Sequence, residues 1–360
     1  MIGFSVNLND DPKKVCEYIE KMKDAGFSSV FTTIFVPEDD KSSYLEALEA
    51  IGGKCKELEM DLMLGTSEES IREVKLELSA ENLRDLGITG LRVTPTTPLD
   101  MIANCTKHFT VAISASHTSS EDLRTLNDLG ADFSNIEAWY YYYERKEIGL
   151  SRKYMEKNNL FWETMDIKTV AFAPGDDNLS EDFTGKVTLE IHRDKHPLYS
   201  TIDLLDDLGV DKVYIGDSPL TAKTINQFNN YMKDELLIFY VDVLDYEYFD
   251  LVKGKHRNRI DEAEYVIRAE DFVFKSDIHV VNRYLVSRSR GSLTLDNNKY
   301  GRYMGEFHIN KVDMDLSKKV NVVAHIREED IDLIDKCRGG MYFEILENAE
   351  EEQENSVLEI

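Results

Sequence analysis

The sequence predicts an α/β protein in which a (β/α)8 barrel is followed by a smaller, mainly antiparallel β domain. Three observations support this fold class. Short apolar runs alternate with amphipathic stretches over residues 1–237, which indicates repeated βα units and a parallel sheet. One helix-ending signature, an Asp and a Gly two residues apart followed by an apolar strand entry, occurs four times. Near residue 240 the alternation ends, and strand-like runs recur without intervening helices.

Eight short apolar runs are the predicted barrel strands: residues 2–8, 29–35, 61–65, 90–94, 110–115, 133–139, 169–173 and 212–216. The first connecting helix, residues 12–25, places Val15, Ile19 and Met22 on one face. The glycines of the four helix-ending signatures are expected in the left-handed conformation that ends a helix, at positions 26, 87, 130 and 209. Eight βα units match the size of a (β/α)8 barrel. A doubly wound open sheet is the alternative, but no G-x-G-x-x-G motif follows the first strand.

The second domain is predicted from five further strand-like runs: residues 265–267, 279–281, 292–295, 305–309 and 320–325. We expect the barrel to occupy residues 1–237 and the β domain residues 238–346. The remaining residues, 347–360, form a low-complexity acidic tail that we expect to be mobile and without chemistry.

The chain carries 42 basic and 69 acidic residues, a formal net charge of −27 at pH 7. So acidic a surface repels phosphate backbones, which argues against nucleic acid and anionic membranes as partners. An anionic small ligand would therefore need a local cluster of arginines. The N-terminus has no basic segment before an apolar one, and no run approaches 18 apolar residues, so we expect a cytoplasmic protein. The sequence does not indicate an oligomeric state.

The four cysteines, at positions 16, 55, 105 and 337, have no metal-binding or redox spacing. We interpret them as plain thiols of a reducing compartment, with a nucleophilic thiol as the alternative. No metal or redox cofactor is expected.

Functional side chains of such a barrel come from the carboxyl ends of its strands and the loops that follow them. The candidates at these positions are Asn7, Arg92, Ser114, Asn135, Glu137, Asp176 and Asp217, with Glu190, His192 and Arg193 from the long seventh loop. This set is rich in carboxylates, hydroxyls and amides. It favours hydrolytic or acid–base chemistry on a polyhydroxylated ligand.

The run of residues 131–139 is the most suggestive of a sugar site. Asn135 and Glu137 are two residues apart, so both should point the same way from a strand. Trp139 and four consecutive tyrosines follow, and a carboxylate beside aromatic rings is typical of sugar-processing sites. The alternative is that these rings cover the barrel mouth or contact another subunit.

The other candidates also have two interpretations each. Glu190 and His192 could share one face of a strand or belong to an exposed loop. Asp217 could project over the barrel mouth or cap the next helix. Arg92 needs an anionic partner, either a protein carboxylate or a ligand. Two basic islands of the β domain could bind phosphate or form a solvated hairpin surface, and they contain Arg257, Arg259 and Arg290.

Ordered sequence blocks run through both predicted domains: Gly3-Phe4-Ser5-Val6, residues 131–139 with Gly149-Leu150-Ser151, residues 171–176, Thr188-Leu189-Glu190 with His192-Arg193, residues 213–217, residues 291–297, Tyr300-Gly301-Arg302-Tyr303 and Gly305-Glu306. Together these blocks resemble one bacterial family, the 6-phospho-N-acetylmuramidases of glycoside hydrolase family 170. Its members were formerly described as uncharacterised "outer surface" proteins. The resemblance covers nearly the whole chain except the acidic tail.

The resemblance implies a TIM barrel followed by a cyclophilin-like β domain. It also implies an intracellular hydrolase that removes 6-phospho-N-acetylmuramic acid from the non-reducing end of a peptidoglycan disaccharide phosphate. On this interpretation Glu137, Glu190 and Asp217 supply acid and base or nucleophile. The expected substrate-binding residues are Asn7, Arg92, Asn135, Trp139, His192, Arg193, Arg257, Arg259, Arg290 and Arg302. Retention, inversion and participation of the substrate's acetamido group all stay open.

The chain departs from the family in the loop after the sixth strand. Relatives usually have Ala-Trp-His-Asn where this chain has Ala138-Trp139-Tyr140-Tyr141, and Pro-Arg-Pro-Glu-Thr-Gly where it has residues 144–149. Two other functions are therefore kept. One is a non-catalytic phosphosugar-binding protein. The other is a different barrel enzyme such as a phosphosugar isomerase or aldolase, although no barrel strand ends in a convincing Schiff-base lysine.

Overall fold

The computed structural model describes residues 1–34, 43–65, 79–176, 183–217, 219–272, 279–283 and 286–347. The chain divides into two compact units, Met1–Asn229 and Asn230–Ile360. The first unit contains a closed parallel barrel with the strand order β1-β10-β8-β6-β5-β4-β3-β2, as the sequence predicts. Its strands are β1 (Ile2–Ser5), β2 (Ser29–Thr33), β3 (Asp61–Gly65), β4 (Gly90–Arg92), β5 (Thr110–Ser114), β6 (Ile136–Trp139), β8 (Lys168–Ala173) and β10 (Lys212–Ile215).

Helices follow the strands. The helices up to Asp234 are α1 (Pro12–Asp24), α2 (Ser43–Glu57), α3 (Ala80–Asp85), α4 (Leu99–Cys105), α5 (Ser120–Asp128), α6 (Arg152–Thr164), α7 (Pro197–Ile202) and α8 (Ala222–Asp234). The four signature glycines all have positive φ, between 65° and 95°, so the predicted left-handed helix ends are confirmed. The polypeptide reverses there without the steric cost that a Cβ would add.

The barrel interior is a packed apolar core. Every second residue of a strand points inward, and the central layer is formed by Phe31, Met63, Ala112, Trp139, Val170, Phe172 and Tyr214. The rings of Trp139 and Tyr214 lie 4.9 Å apart, centre to centre. This layer separates the two ends of the barrel, so polar side chains below it and above it belong to different environments.

Two loops at the carboxyl end of the barrel each contribute one strand to a small antiparallel sheet. We call this two-stranded sheet the inserted hairpin, although its strands are not consecutive in the chain. It consists of β7 (Tyr143–Arg145) and β9 (Phe183–Val187), which follow β6 and β8 along the chain. Because β6 and β8 are neighbours in the barrel, their loops can pair directly. The hairpin therefore carries side chains of residues 141–147 and 185–187 beside the barrel mouth.

The second unit is built around a seven-stranded sheet with the order β12-β17-β11-β16-β14-β15-β13. All its neighbouring pairs are antiparallel except β11 and β17, which confirms the predicted class. The strands are β11 (Leu236–Val243), β12 (Gly254–Arg257), β13 (Val266–Arg268), β14 (Ser292–Asp296), β15 (Phe307–Asn310), β16 (Val320–Ile326) and β17 (Tyr342–Glu347), with one helix, α9 (Tyr246–Val252).

Three strands of this sheet, β11, β12 and β17, were not predicted from the sequence. Conversely, residues 279–281 are irregular, so the strand expected there is wrong. The amide of Val281 is instead held by the hydroxyl of Tyr248, at 2.9 Å. Residues 348–360 of the expected acidic tail lie outside the described residues.

Candidate active site

Arg92 ends β4 at the barrel mouth, and its guanidinium is held by aromatic rings. The guanidinium carbon lies 4.4 Å from the centre of the Tyr141 ring and 6.0 Å from those of Phe31 and Tyr142. It forms no hydrogen bond or ion pair with any residue that the structure describes. Burial lowers the pKa of Arg92, since the charged form is poorly solvated there. A desolvated cation of this kind, with free donors, is suited to receive an anion.

Asp217 follows β10 at the same end of the barrel and is 4% exposed. Its Oδ2 accepts a hydrogen bond of 2.5 Å from the amide of Lys186. Its Oδ1 is buried and has no hydrogen-bond partner among the described residues. Burial raises the pKa of this carboxyl, although the amides of Lys186 and Gly175 oppose the shift. Asp217 is thus the described mouth carboxyl best placed to hold and release a proton.

The loop that carries Asp217 is fixed by a close backbone contact. A Cβ at Gly216 would lie 2.1 Å from the carbonyl oxygen of Lys186, so only glycine lets the hairpin approach the strand end. The alternative role for Asp217, capping the next helix, is not seen. Thr221 caps α8, since its Oγ1 accepts from the amide of Thr224, and Asp176 accepts from both residues.

Tyr142, Lys186 and Glu144 complete the mouth. Tyr142 belongs to the run of four tyrosines in the predicted sugar site, whereas Lys186 and Glu144 were not site candidates in the sequence. The Tyr142 ring packs 5.1 Å from Phe172, and the Lys186 ammonium lies 5.7 Å from the Tyr142 ring centre. Glu144 lies 3.8 Å from Lys186, and its charge helps to raise the pKa values of Tyr142 and Asp217. Glu144 and Lys186 are hard to predict from the sequence because they lie on the inserted hairpin rather than at the end of a barrel strand.

Glu190 and Arg193, both predicted site residues, form a clamp that holds the hairpin and its loop. Glu190 accepts hydrogen bonds of 2.7 Å from the amides of Glu147 and Gly149 and pairs with Arg193. Arg193, 4% exposed, also donates to the carbonyls of Tyr143, Glu144, Arg145 and Gly185. The Arg193 hydrogen bond lowers the pKa of Glu190 to about 2. The carboxylate of Glu190 and the guanidinium of Arg193 thus form their hydrogen bonds with other groups of the protein.

Glu137 lies at the opposite end of the barrel, so the expectation that three carboxylates share one rim is wrong. It pairs in register with Lys168, the first residue of β8. Its carboxylate forms a buried ion pair of 2.9 Å with Lys212, the first residue of β10, and accepts 2.8 Å from the indole of Trp139. These partners belong to the amino ends of the strands.

Two neighbours of Glu137 are also placed differently from the prediction. Residues Phe133–Asn135 form a short 3-10 helix before β6, so Asn135 does not share a strand face with Glu137. Asn135 donates to the carbonyl of Thr106 at 2.8 Å. Trp139 is 1% exposed within the barrel core, and is therefore no platform for a sugar in this structure.

His192 and Asn7 differ in exposure. His192 is fully buried, and its Nε2 lies 2.9 Å from Oδ2 of Asp203, which also accepts from Arg152. It is a packed internal residue rather than a rim residue. Asn7 follows β1 at the mouth end, is exposed, and accepts from the amide of Asn9 at 3.1 Å.

The predicted arginines of the second unit mostly have protein partners. Arg257 pairs with Glu270, Arg259 makes a two-bond pair with Asp261, and Arg290 pairs with Asp335. Arg302 is exposed and lies over the ring of Tyr303, 4.7 Å from its centre. The charges of Arg257, Arg259 and Arg290 are thus neutralised locally.

The four cysteines are free thiols. Burial raises the pKa of Cys55 and Cys337 to about 12, which disfavours the thiolate form. Within the described ranges, His, Cys, Asp and Glu side chains form no group of three or more that could hold a metal ion. No helix in the described part of the chain is both long enough and apolar enough to cross a membrane.

Comparisons with known proteins match both units. The family model for the N-terminal domain of 6-phospho-N-acetylmuramidase matches residues 2–230, and that for the C-terminal domain matches residues 236–346. A crystal structure of a conserved Enterococcus faecalis protein of unknown function is 30% identical, covers 97% of each chain and has a TM-score of 0.88. An uncharacterised Bacillus cereus protein, 21% identical, covers 96% of this chain and 99% of its own with a TM-score of 0.69. No curated protein matches. The chain therefore belongs to the 6-phospho-N-acetylmuramidase family.

Proposed function

We propose that the chain is a glycosidase that removes 6-phospho-N-acetylmuramic acid from the non-reducing end of a peptidoglycan-derived disaccharide phosphate, within cell-wall recycling in the cytoplasm. One observation carries the proposal: the buried carboxyl of Asp217 and the guanidinium of Arg92, which has no ion pair among the described residues, occupy the same end of the barrel. A glycosidase needs a carboxyl that is protonated near neutral pH, and an anionic sugar needs a cation that no protein group has neutralised.

In this proposal Asp217 is the general acid. Its proton passes to the glycosidic oxygen as the bond from that oxygen to the anomeric carbon breaks. Glu144, the other carboxylate coupled to this group, stabilises the positive charge that develops on the sugar ring or activates water. A carboxyl separation in the complex of about 5–5.5 Å would favour retention, and roughly 6.5–9.5 Å inversion. Participation by the acetamido group is a third route.

Arg92 and Lys186 would bind the two anionic groups of the substrate, its phosphate and its lactyl carboxylate. Both cations lie over the ring of Tyr142, with the Arg92 guanidinium carbon 6.0 Å and the Lys186 Nζ 5.7 Å from its centre. Arg92 can present two parallel N–H groups to one anion, whereas Lys186 acts as a point charge. The family membership supports a phosphorylated sugar as the ligand.

Glu137, Glu190, His192 and Arg193 have supporting roles in this proposal. Glu137 neutralises Lys212 below the barrel core. Glu190 and Arg193 hold the hairpin that presents Tyr142, Glu144 and Lys186 to the mouth. Substituting them should therefore act through stability or hairpin position rather than through proton transfer.

The test is incubation of the purified protein with phosphorylated muramyl disaccharide, with release of N-acetylglucosamine as the readout. We expect release from the phosphorylated substrate, and kcat/KM at least about a hundredfold lower for the unphosphorylated disaccharide, because the latter lacks one charge-assisted contact pair. Equal rates on both substrates would contradict the phosphate requirement.

Binding of the disaccharide phosphate without any release would instead support the non-catalytic function. The non-catalytic function is favoured by Tyr140 and Tyr141, which stand where relatives usually have His-Asn. Tyr140 is fully buried and donates to Asn159 at 2.6 Å, and Tyr141 stacks on Arg92. Neither hydroxyl replaces the chemistry of a histidine. A calorimetric titration beside the activity assay separates the two functions.

A further inference from the structure

A cavity of about 210 Å³ lies at the carboxyl end of the barrel, between the loops that follow β4 and β5. Buried apolar side chains form part of its wall: Ile102 of α4, Ile113 of β5 and Leu126 of α5. Its polar lining residues include Thr94, Thr97, Ser114, His117 and Asp122. The volume is below the roughly 300–1,000 Å³ of pockets that hold drug-sized ligands, so the cavity suits a single small ring.

The cavity adjoins the mouth of the barrel through one tyrosine ring. The ring of His117, which lines the cavity, meets the ring of Tyr141 edge to face, with the two centres 5.9 Å apart. The Arg92 guanidinium carbon lies 4.4 Å from the centre of the same tyrosine ring. Because β5 lies between β4 and β6 in the barrel, the loop after β5 reaches both of its neighbours. A ligand held by Arg92 can therefore extend into the cavity.

Ser114, a site candidate from the sequence, holds the imidazole of His117 in place. It ends β5, is buried, and its Oγ lies 3.0 Å from Nδ1 of His117. The imidazole is exposed, and its Nε2 forms no hydrogen bond with any described residue. If Nδ1 accepts from the serine hydroxyl, Nε2 carries the proton and can donate, whereas in the other tautomer Nε2 can accept. A sugar hydroxyl fits both cases, because it donates and accepts.

Asp122 gives the cavity a negative charge. Its Oδ2 accepts hydrogen bonds of 2.8 Å from the amide and 2.7 Å from the hydroxyl of Ser119, and these bonds lower the pKa of the carboxyl. Its Oδ1 forms no hydrogen bond with a residue that the structure describes, so it can accept from a ligand. None of the described residues that line the cavity is Lys or Arg. The cavity therefore favours an uncharged ligand with hydroxyl groups over a phosphate.

We propose that this cavity holds the uncharged sugar that leaves the substrate, an N-acetylhexosamine such as N-acetylglucosamine, and that His117 and Asp122 bind its hydroxyls. This assignment rests on the function proposed above and adds to it the position of the second sugar. The phosphorylated sugar lies on the side of Arg92 and the uncharged sugar on the side of Asp122, with the scissile bond between them. A cation at one end and a carboxylate at the other fix the direction in which the disaccharide binds.

The test compares two substrates of the full chain that share the phosphorylated muramic acid and differ in the leaving group. One is the disaccharide phosphate, and the other is the 4-nitrophenyl glycoside, whose leaving group has no sugar hydroxyls. His117→Asn keeps a polar atom beside Ser114 but removes Nε2. It should lower kcat/KM about tenfold on the disaccharide, as for loss of one hydrogen bond, and less than about twofold on the nitrophenyl glycoside. Activity on the nitrophenyl glycoside also shows that the variant is folded. Equal losses on both substrates would overturn the proposal.

A matched pair of variants tests the cavity without relying on turnover. The hydroxyls of Thr96 and Thr97 lie 3.0 Å and 3.2 Å from that of Thr94, but of these two only Thr97 lines the cavity. Thr97→Phe fills the cavity and should weaken binding of N-acetylglucosamine at least about tenfold in a ligand-observed NMR titration, whereas Thr96→Phe should bind like the wild type. No binding by the wild type, or equal binding by all three proteins, would overturn the proposal. Binding with this pattern, but no turnover of either substrate by the wild type, would support the cavity and contradict the glycosidase function.

Discussion

The two ends of the barrel treat charge in opposite ways. At the amino end Glu137 and Lys212 are buried together and neutralise each other, and the indole of Trp139 satisfies a further lone pair. At the carboxyl end Arg92 and Asp217 are also desolvated, yet neither forms an ion pair with a described residue. Charge that is paired within the protein holds the fold together. Charge that is left unpaired at a cost in stability is available to a ligand.

The largest expected effect breaks the pair at the amino end. Lys212→Met leaves the Glu137 carboxylate buried without its cation, which should lower the free energy of unfolding by about 3–5 kcal/mol. Urea denaturation of the purified variant measures it. The double variant Lys212→Met/Glu137→Gln is the matched control and should recover much of the loss, because no unpaired charge remains. Equal stability of the wild type and the single variant would show that the pair is not buried as described.

At the mouth, Arg92→Ala should act on binding rather than on stability. The guanidinium has no described ion pair, so its loss removes only stacking energy from the fold. We expect KM for the phosphorylated disaccharide to rise about a hundredfold, equal to about 2.7 kcal/mol, as for loss of charge-assisted hydrogen bonds. Steady-state kinetics and the melting temperature are measured on one preparation. A large drop in melting temperature with unchanged KM would mean that Arg92 is a structural residue.

Tyr141 should affect the position of Arg92 without contacting the reacting atoms. Its ring lies 4.4 Å from the guanidinium carbon, within the range of a cation–π contact. Tyr141→Asn, which restores the residue common among relatives, should raise KM roughly tenfold with little change in kcat. Tyr141→Phe keeps the ring and should behave like the wild type. An equally raised KM in Tyr141→Phe and Tyr141→Asn would show that the Tyr141 hydroxyl, and not its ring, supports binding by Arg92.

The smallest effect concerns the pH dependence of the proposed acid. The Lys186 ammonium lowers the pKa of Asp217, against the larger effect of burial. Lys186→Met therefore raises this pKa further, and activity that requires the protonated carboxyl should persist to higher pH. We expect the alkaline limb of kcat/KM to move to higher pH. A downward shift would contradict the assignment of Asp217 as the proton donor.

The barrel could be predicted from sequence because its signals are local. Each αβ turn has its glycine at the position where the chain needs positive φ, as at Gly26, and each strand is a bounded apolar run. The second sheet was harder, since β12 is only four residues long and β11 lies at the change of composition. The parallel pairing of β11 with β17 joins residues more than a hundred positions apart, and a local sequence pattern cannot predict such a pairing.

The site was predicted less well, for two physical reasons. Barrel strands here are three to six residues long, so an error of a few residues moves a side chain from one end to the other, as with Glu137. Whether a charged residue is free or paired is decided by tertiary contacts. Arg193 and Arg92 look alike in sequence, yet the first is saturated by backbone carbonyls and the second is not. Among the predicted acidic and basic site residues that the structure describes, Arg92 and Asp217 are the two that combine a strand-end position with a hydrogen-bonding atom left without a partner.

The central claim is that the ionisable groups without an ion pair at the mouth, and not the ion pair below the core, perform the chemistry. Turnover and melting temperature of Asp217→Asn and Glu137→Gln, measured side by side on the phosphorylated muramyl disaccharide, test it most directly. We predict that Asp217→Asn loses a factor of about 10²–10⁴ in kcat and melts no lower than the wild type. Glu137→Gln should melt several degrees lower with nearly normal kcat. Near-normal turnover by Asp217→Asn together with an inactive but stable Glu137→Gln would contradict the account.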